Sequence, residues 1–364
     1  MKLIFSTIII LHGAIHFLGF LKAFEISYLP RFTGNFSKLS GLFWLLATVL
    51  LIISGIGFIK KESCWGWLAI GATVISAVLI ITVWNDAKFG MIANLIILIV
   101  AVVSILTVRF NNKTETEIAG IMEQSNTIAK TKVHESEISD LPEPVRRWLA
   151  VSGVVGQENI HTVWLKQKAK MKMKPEQEKW SDATAEQYFT IQNPAFIWKV
   201  RMNMPQFIKI AGRDKFINGK GEMLIKIFSV LTVVNEKGAK INEGTMQRFL
   251  GEIVWFPSAA LSPYITWEAI DNRSAKASMD YMGTKVSGTF YYNENGDVIR
   301  YSTFRYKGNK PDSERHEWVI DIQEHATINN IKVPVKMTAT WKLDEGDWTW
   351  LDLEIAEIKY NNNI

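Results

Sequence analysis

Four long, uncharged and apolar runs near the N-terminus constrain this chain more than any other feature of its sequence. They cover residues 3–21, 41–59, 63–85 and 89–108. Each is close to the ~20 residues that an α-helix needs to cross a hydrocarbon layer about 30 Å thick. Tryptophans lie at several ends of these runs, as is typical of segments anchored at a membrane interface. We therefore expect residues 1–110 to form a four-helix transmembrane domain.

The positive charge of the chain belongs to this helical half. Residues 1–109 contain eight Lys or Arg and three Asp or Glu, whereas residues 110–364 contain 33 of each kind. A nucleic-acid-binding domain concentrates positive charge on itself, so the neutral C-terminal half argues against nucleic acid as a partner. Basic residues that flank membrane helices favour the anionic headgroups of a lipid bilayer instead.

Several polar residues interrupt the apolar runs. His12 and His16 are four residues apart and share one helix face. Asp86 and Asn94 lie around the junction of the third and fourth runs, on the same expected membrane side as the end of the first helix. Ionisable groups inside a membrane are costly and usually face a protein interior. The cluster either joins the helices by hydrogen bonds or forms a site for a ligand, a proton or a quinone.

The C-terminal half changes to a strand-like pattern. Residues 111–140 are polar and predict a linker or an exposed helix, and 141–364 predict a soluble, β-rich domain. Eleven segments of that domain alternate apolar and polar residues, and Asn295-Gly296 between two of them is a strong hairpin signal. The absence of a βαβ alternation argues against a Rossmann or other parallel fold. We therefore predict an antiparallel sheet, either strongly curved or shaped as a half-barrel.

One amphipathic helix interrupts the predicted strands, at about 243–256. Its apolar residues follow helical spacing, so that the helix must bury one face against the sheet. A curved sheet around a central helix forms an apolar groove, which is a common setting for a hydrophobic ligand. Arg248 and Glu252 on this helix are spaced to form an ion pair.

Four segments of the β-rich half carry a resemblance to a known family, at 141–149, 214–221, 247–257 and 267–271. The most specific one, Arg-Phe-Leu-x-Glu-x-x-Trp-Phe-Pro, begins at Arg248. Over about 141–360 the chain resembles an uncharacterised bacterial family that is known only as a domain of unknown function. The pattern is more loosely similar to the half-barrel of periplasmic lipoprotein carriers, and the helical half distantly resembles DoxX-type membrane proteins. The resemblance implies no activity, but it suggests an integral protein of the bacterial inner membrane.

The candidate ligand site groups charged and aromatic residues around the predicted helix. Its members are Arg248, Glu252, Trp255, Trp198, Trp267 and Asp271. In one interpretation they are a surface ion pair beside an aromatic core. In the other, the charged pair faces the groove and binds a polar head, while tryptophans line an apolar wall.

No catalytic motif accompanies these residues: the sequence contains neither HExxH nor GxSxG, and no cofactor or metal is predicted. The leading hypothesis is a membrane-anchored binding module for a lipid or another hydrophobic small molecule. One alternative is a membrane redox or transport component that uses His12, His16 and Asp86. The other is a structural or signalling domain that binds a protein.

Overall fold

The computed structural model describes residues 2–27, 34, 36–125, 130–204 and 208–361. The chain divides into two compact units, Met1–Asn112 and Lys113–Ile364.

The first unit consists of helices. They are α1 (Lys2–Ala23), α2 (Lys38–Lys60), α3 (Trp65–Thr82), the single turn α4 (Trp84–Ala87) and α5 (Gly90–Glu123), whose last eleven residues belong to the second unit. All of them except α4 are long and apolar enough to cross a membrane, which confirms four apolar helices at the predicted places. The third run divides into α3 and α4 because the backbone leaves helical geometry at Val83, with φ −127° and ψ 44°.

Close packing between α1 and α2 depends on glycine. A Cβ atom at Gly19 would lie 2.3 Å from the ring of Trp44, and a Cβ atom at Gly55 would lie 2.8 Å from Ile10. Small residues let helix backbones approach one another where lipid provides no hydrophobic driving force. Large apolar side chains such as Leu11, Leu42 and Val78 are exposed on the outside of this unit, as expected of helices that face lipid.

The second unit is built on one antiparallel sheet, which has 13 strands within the described residues. The strands are β1 (Thr162–Met171), β2 (Ser181–Thr190), β3 (Ala195–Asn203), β4 (Lys209–Ile217), β5 (Lys220–Ile227), β6 (Leu231–Lys237), β7 (Ile265–Asp271), β8 (Ser274–Tyr281), β9 (Thr284–Tyr292), β10 (Val298–Tyr306), β11 (Arg315–Ile328), β12 (Ile331–Leu343) and β13 (Gly346–Tyr360). Two meanders, β1–β6 and β7–β13, are joined where β1 pairs with β13.

The sheet curves around helix α8 (Ala239–Glu252), which connects the edge strand β6 to the opposite edge strand β7. α8 contacts β4, β5 and β6 near one edge and β8, β9 and β10 near the other. The turns that follow β4 and β8 also meet, since a Cβ atom at Gly219 would lie 2.8 Å from the Cβ of Met282. No described residues pair β6 with β7, so the sheet is open. The predicted fold class, a curved sheet or half-barrel around a central helix, is confirmed.

The edge strands β6 and β7 were not predicted from the sequence. Along both strands most side chains are exposed on either face, so the alternation of apolar and polar residues that marks a half-buried strand is missing. The predicted helix at 243–256 begins four residues earlier, at Ala239, and its last predicted turn is a 3₁₀ turn from Ile253 to Trp255.

The start of the second unit differs from the polar linker or exposed helix expected at 111–140. α5 continues to Glu123, and Ile118, Ile121 and Met122 are buried against Ile197 and its neighbours on β2 and β3. Since Phe196 and Trp198 belong to the main core on the other side of β3, this part of α5 covers the outer face of the sheet. Two short helices follow, α6 (Glu135–Ile138) and α7 (Glu143–Ser152), and α7 ends at Gly153 with φ +76°.

Tyr301 of β10 fixes α8 to the sheet. Its hydroxyl donates a hydrogen bond to the carbonyl oxygen of Gln247 at 3.0 Å. Its ring lies between two glycines, because a Cβ atom would come within 2.6 Å of the ring at Gly251 and within 2.4 Å at Gly288.

Gly288→Ala should therefore lower the free energy of unfolding of the β domain by about 1–3 kcal/mol, the usual cost of overpacking a core. Chemical denaturation of the detergent-solubilised protein, followed by near-UV circular dichroism, measures the loss. Gly120→Ala is the control, since a Cβ atom there meets no atom within 4 Å and alanine favours a helix. Equal stability of both variants would contradict this account of the helix position.

Candidate functional site

A cavity of about 440 Å³ lies between α8 and the concave face of the sheet. This volume falls within the range of about 300–1,000 Å³ that is typical of small-molecule sites. Apolar side chains form most of its wall, including five methionines, whose flexible side chains adapt to irregular partners. Six tryptophans also line it: Trp198, Trp255, Trp318, Trp341, Trp348 and Trp350.

The register of the sheet arranges three of these tryptophans in a row. Trp318 of β11 lies opposite Trp341 of β12, which in turn lies opposite Trp348 of β13. Directly paired residues of neighbouring strands point to the same face and interact. The row therefore forms one continuous aromatic strip on the cavity wall.

A buried polar network centred on Arg248 of α8 forms another part of the cavity wall. The Arg248 Nε donates to Glu252 Oε1 at 2.8 Å, and its Nη1 donates to Asp214 Oδ2 of β4 at 3.0 Å. The guanidinium also lies 4.7 Å from the ring centre of Trp198. The predicted ion pair is thus present, but it faces the cavity and not the solvent, because the sheet wraps over this face of the helix.

Two buried glutamines extend the network. Gln187 donates to Glu252 Oε2 at 2.8 Å, Gln167 donates to Gln187 Oε1 at 3.1 Å, and the Trp198 indole donates to Gln167 Oε1 at 2.8 Å. Glu252 therefore accepts hydrogen bonds on both of its oxygens. Such pairing is what permits a carboxylate in a buried position.

The buried carboxyl groups of the network differ from exposed ones in their acidity. Burial raises the pKa of Asp214, although Arg248 and the nearby Arg305 oppose the shift. Burial likewise raises the pKa of Glu252, against the effect of Arg248. In both groups desolvation of the charged form outweighs attraction to the arginines.

The structure brings four of the six predicted site residues together, namely Arg248, Glu252, Trp255 and Trp198, which all line the cavity. The other two lie elsewhere. Trp267 packs in the core against Trp148 and Phe290, and its indole donates to the carbonyl oxygen of Ala260 at 2.9 Å.

Asp271 is the exposed last residue of β7, where its Oδ1 accepts from the Arg273 amide of the following turn at 2.7 Å. This turn hydrogen bond is the largest cause that lowers the pKa of Asp271. Its place next to Trp267 in the sequence does not bring Asp271 to the cavity.

Sequence reasoning missed the cavity residue with the most unusual surroundings, Arg305 of β10. Its guanidinium carbon lies 4.7 Å from the ring centre of Trp318 and 5.4 Å from that of Trp341. It also missed Gln167, Gln187 and Asp214. A usable signal existed, since a charged or amide side chain on the apolar phase of an alternating strand predicts a functional or network position.

A second polar network lies within the first unit, where His12 and His16 meet Asn94 and a residue the sequence analysis missed, Ser76 of α3. His12 Nε2 lies 2.9 Å from Asn94 Oδ1, Asn94 Nδ2 donates to Ser76 Oγ at 2.8 Å, and Ser76 Oγ lies 2.6 Å from His16 Nε2. His16 Nδ1 lies 2.9 Å from the carbonyl oxygen of His12. One assignment of protons satisfies all four hydrogen bonds with both imidazoles neutral. In it, His12 donates to Asn94, Asn94 donates to Ser76, Ser76 donates to His16, and His16 donates to the His12 carbonyl oxygen.

Asp86 takes part in a different contact, as its Oδ2 accepts from the Gly34 amide at 3.0 Å. The four buried side chains of the network thus partner one another across three helices. This arrangement supports hydrogen bonding between helices as their role. Among the described residues, no three His, Cys, Asp or Glu side chains come together as a metal site.

Arg248→Met should lower the free energy of unfolding by about 3–5 kcal/mol near neutral pH, since it leaves two buried carboxylates without their cation. A carboxyl group with a higher pKa in the folded state takes up a proton on folding, so that its folded state gains stability as the pH falls. The loss should therefore shrink as the pH is lowered towards the ordinary carboxyl value of about 4.

Chemical denaturation of the full-length protein at a series of pH values tests this expectation. Arg315→Met is the matched control. Arg315 of β11 pairs at the surface with Glu243 of α8, the helix that carries Arg248, and a surface ion pair contributes at most about 1 kcal/mol. A loss that is independent of pH would show that the two carboxyls do not take up protons when Arg248 is removed.

Ser76→Ala should destabilise the helical unit by about 1 kcal/mol, because Asn94 and His16 each lose a partner. Unfolding of the protein by titration with sodium dodecyl sulfate measures the change. Ser54→Ala serves as the control, since among the described residues the Ser54 hydroxyl donates only to the carbonyl oxygen of Leu50 in its own helix, at 2.7 Å. If both variants unfold alike, the network does not stabilise the bundle.

Comparison with known proteins gives a matching family and several similar solved structures. No curated protein matches this chain. Similar structures are a LolA superfamily protein from Nitrosomonas europaea and a β-barrel-like protein of the DUF1849 domain of unknown function from Brucella abortus. The first has 8% identity and a TM-score of 0.31 over 56% of this chain and 88% of that one. The second has 7% identity and a TM-score of 0.26 over 56% of this chain and 100% of that one.

The resemblance of the helical half to DoxX-type proteins stays a prediction. The family match covers the β-rich half, at residues 139–360, and agrees with the resemblance inferred from the segments around Arg248 and Trp267. The chain therefore belongs to DUF6920, a family of unknown function.

Proposed function

We propose that this protein is a membrane-anchored binding module that holds a lipid or another hydrophobic molecule in the cavity of its β domain. The observation that carries the proposal is the 440 Å³ cavity itself. Protein interiors are close-packed, and voids larger than a water molecule are few. A cavity of this size beside a well-packed core supports a role in binding rather than a defect of packing.

The chemistry of the wall supports a hydrophobic ligand. Tryptophans and methionines dominate it, and the polar groups of the Arg248 network are confined to one part. Burial of an alkyl chain against such a wall contributes about 0.8 kcal/mol for each methylene group. A ligand with a long apolar chain would therefore gain most of its affinity from the wall and its orientation from the few polar groups.

The four apolar helices support an anchor in a bilayer, and we infer that this is the inner membrane of a bacterium. A ligand that partitions into lipid is most concentrated there, so that an anchored domain meets it at short range. A reporter fused after Ile364 would identify the side of the membrane on which the β domain lies.

Neither alternative gains a specific observation. A domain that only binds another protein would be expected to have a filled core. A redox or transport role for His12 and His16 is weakened because their ring nitrogens at Nε2 are engaged with Asn94 and Ser76, while Asp86 is held elsewhere.

A photoactivatable fatty acid tests the proposal on the full-length protein in lipid nanodiscs. After irradiation, mass spectrometry should find the label on peptides of the cavity wall. Val234→Trp should reduce this labelling severalfold, because Val234 of β6 lines the cavity and the larger side chain fills part of it.

Val233→Trp provides the matched control, since the neighbouring Val233 is 49% exposed and adjacent strand residues point to opposite faces. It should leave the labelling unchanged. Label found only on the membrane helices, or equal labelling of both variants, would overturn the proposal.

A further inference from the structure

We propose that the ligand is an anionic amphiphile, and that its carboxylate or phosphate head binds at Arg305 while its apolar chain lies along the tryptophan wall. The inference rests on the proposed function and specifies the chemical class of the ligand. It follows from the contrast between the two arginines of the cavity and from a set of indole groups that have no hydrogen-bond partner.

The guanidinium of Arg305 has no direct ion pair and no hydrogen bond among the described residues, and its Nε is buried without an acceptor. Asp214 and Glu252 attract it only at longer range. Its contacts are the faces of Trp318 and Trp341 and the backbone of α8 at Gly244, where a Cβ atom would lie 3.0 Å from Nη2. Aromatic faces and a helix backbone position a guanidinium, but they leave its N–H groups unused.

Arg248 shows what a satisfied arginine looks like in the same cavity. It is paired with both Glu252 and Asp214, so its charge is balanced within the protein. Burial and the nearby Arg248 lower the pKa of Arg305 to about 10, and Arg305 therefore stays protonated at neutral pH. An unpaired charge in such a place is unfavourable, and an anion from outside the chain would balance it.

Indole N–H groups on the cavity wall also lack a hydrogen-bond acceptor. The Nε1 atoms of Trp318, Trp348 and Trp350 are buried and have no acceptor among the described residues, and all three side chains line the cavity. An indole N–H only donates, as does a guanidinium. The unused polar atoms here are therefore donors, and the group that matches them is one that only accepts, such as a carboxylate or a phosphate.

The carboxylates of the cavity have closer partners than Arg305. Asp214 and Glu252 bind Arg248. Glu236 accepts from Asn309 Nδ2 at 2.7 Å.

Competition against a photoactivatable fatty alcohol in nanodiscs, whose uncharged head does not depend on Arg305, tests the inference with three unlabelled ligands of equal chain length. Dodecanoate, dodecyl phosphate and dodecanol share the chain and differ in the head. We expect at least one anion to displace the probe from the cavity about tenfold more effectively than dodecanol, the difference that one charge-assisted hydrogen bond supplies. The two anions together identify whether a carboxylate or a phosphate is preferred.

Arg305→Gln should remove this preference and leave competition by dodecanol unchanged, which also reports that the cavity is still folded. Arg305→Lys should retain part of the preference, since it keeps the charge and loses the fork of donors. Arg300→Gln is the matched control on the same strand, as Arg300 is exposed and paired with Asp321, and it should behave as the unmodified protein.

The outcomes separate the inference from the proposed function. If dodecanol and both anions displace the probe equally well, and Arg305→Gln changes nothing, the cavity binds apolar chains and the inference about the head is overturned. If no ligand displaces the probe and no label reaches the cavity, the proposed function itself fails.

Discussion

The position of α8 inside the curve of the sheet is the constraint on which the rest of the β domain depends. The chain leaves the sheet at one edge, β6, and must return at the opposite edge, β7. α8 makes this crossing along the concave face and contacts strands from both halves. Inward-pointing side chains of the sheet hold the helix away from that face. The helix therefore leaves part of the space between the two halves of the sheet unfilled, and this space is the cavity.

The charges inside this space have two different relations to the fold. Arg248, Asp214 and Glu252 belong to the fold, because the arginine pairs with both carboxylates and Gln187 donates to the second oxygen of Glu252. Removal of any one leaves an uncompensated charge, which makes the set cooperative. Arg305 has no such role within the described residues, so its charge stays available for a partner that the fold itself does not contain.

The elements of the fold were largely predictable from the sequence because their patterns are local. The four apolar runs, the Asn295-Gly296 hairpin and the spacing of Arg248 and Glu252 each depend on residues close in the chain. The features that the sequence did not predict depend on contacts between residues far apart in the chain. The i, i+4 spacing predicted the ion pair, but only the curvature of the sheet decides that the pair is buried.

The dependence on distant contacts also explains why the sequence did not place every site residue correctly. Trp267 and Asp271 lie in a segment that resembles the family, but family segments include core residues, and Trp267 is one of them. Ser76 completes the intramembrane network from a third helix, and a single serine in an apolar run gives no sign of this. The phase of the strand could have marked Arg305 as an inward-facing charge, but only the fold shows that its neighbours on β11 and β12 are Trp318 and Trp341.

Hydrogen-bond donors without acceptors decide how a ligand is oriented in the cavity. A buried donor without an acceptor costs about 1–3 kcal/mol, and a stability optimum would replace it with an apolar group. Three indole N–H groups and one guanidinium remain unsatisfied on the same wall, whereas the polar groups around Arg248 are nearly all paired. A purely apolar ligand would leave these costs in place. An amphiphile whose acceptor oxygens lie at Arg305 would remove the cost at that end of the wall.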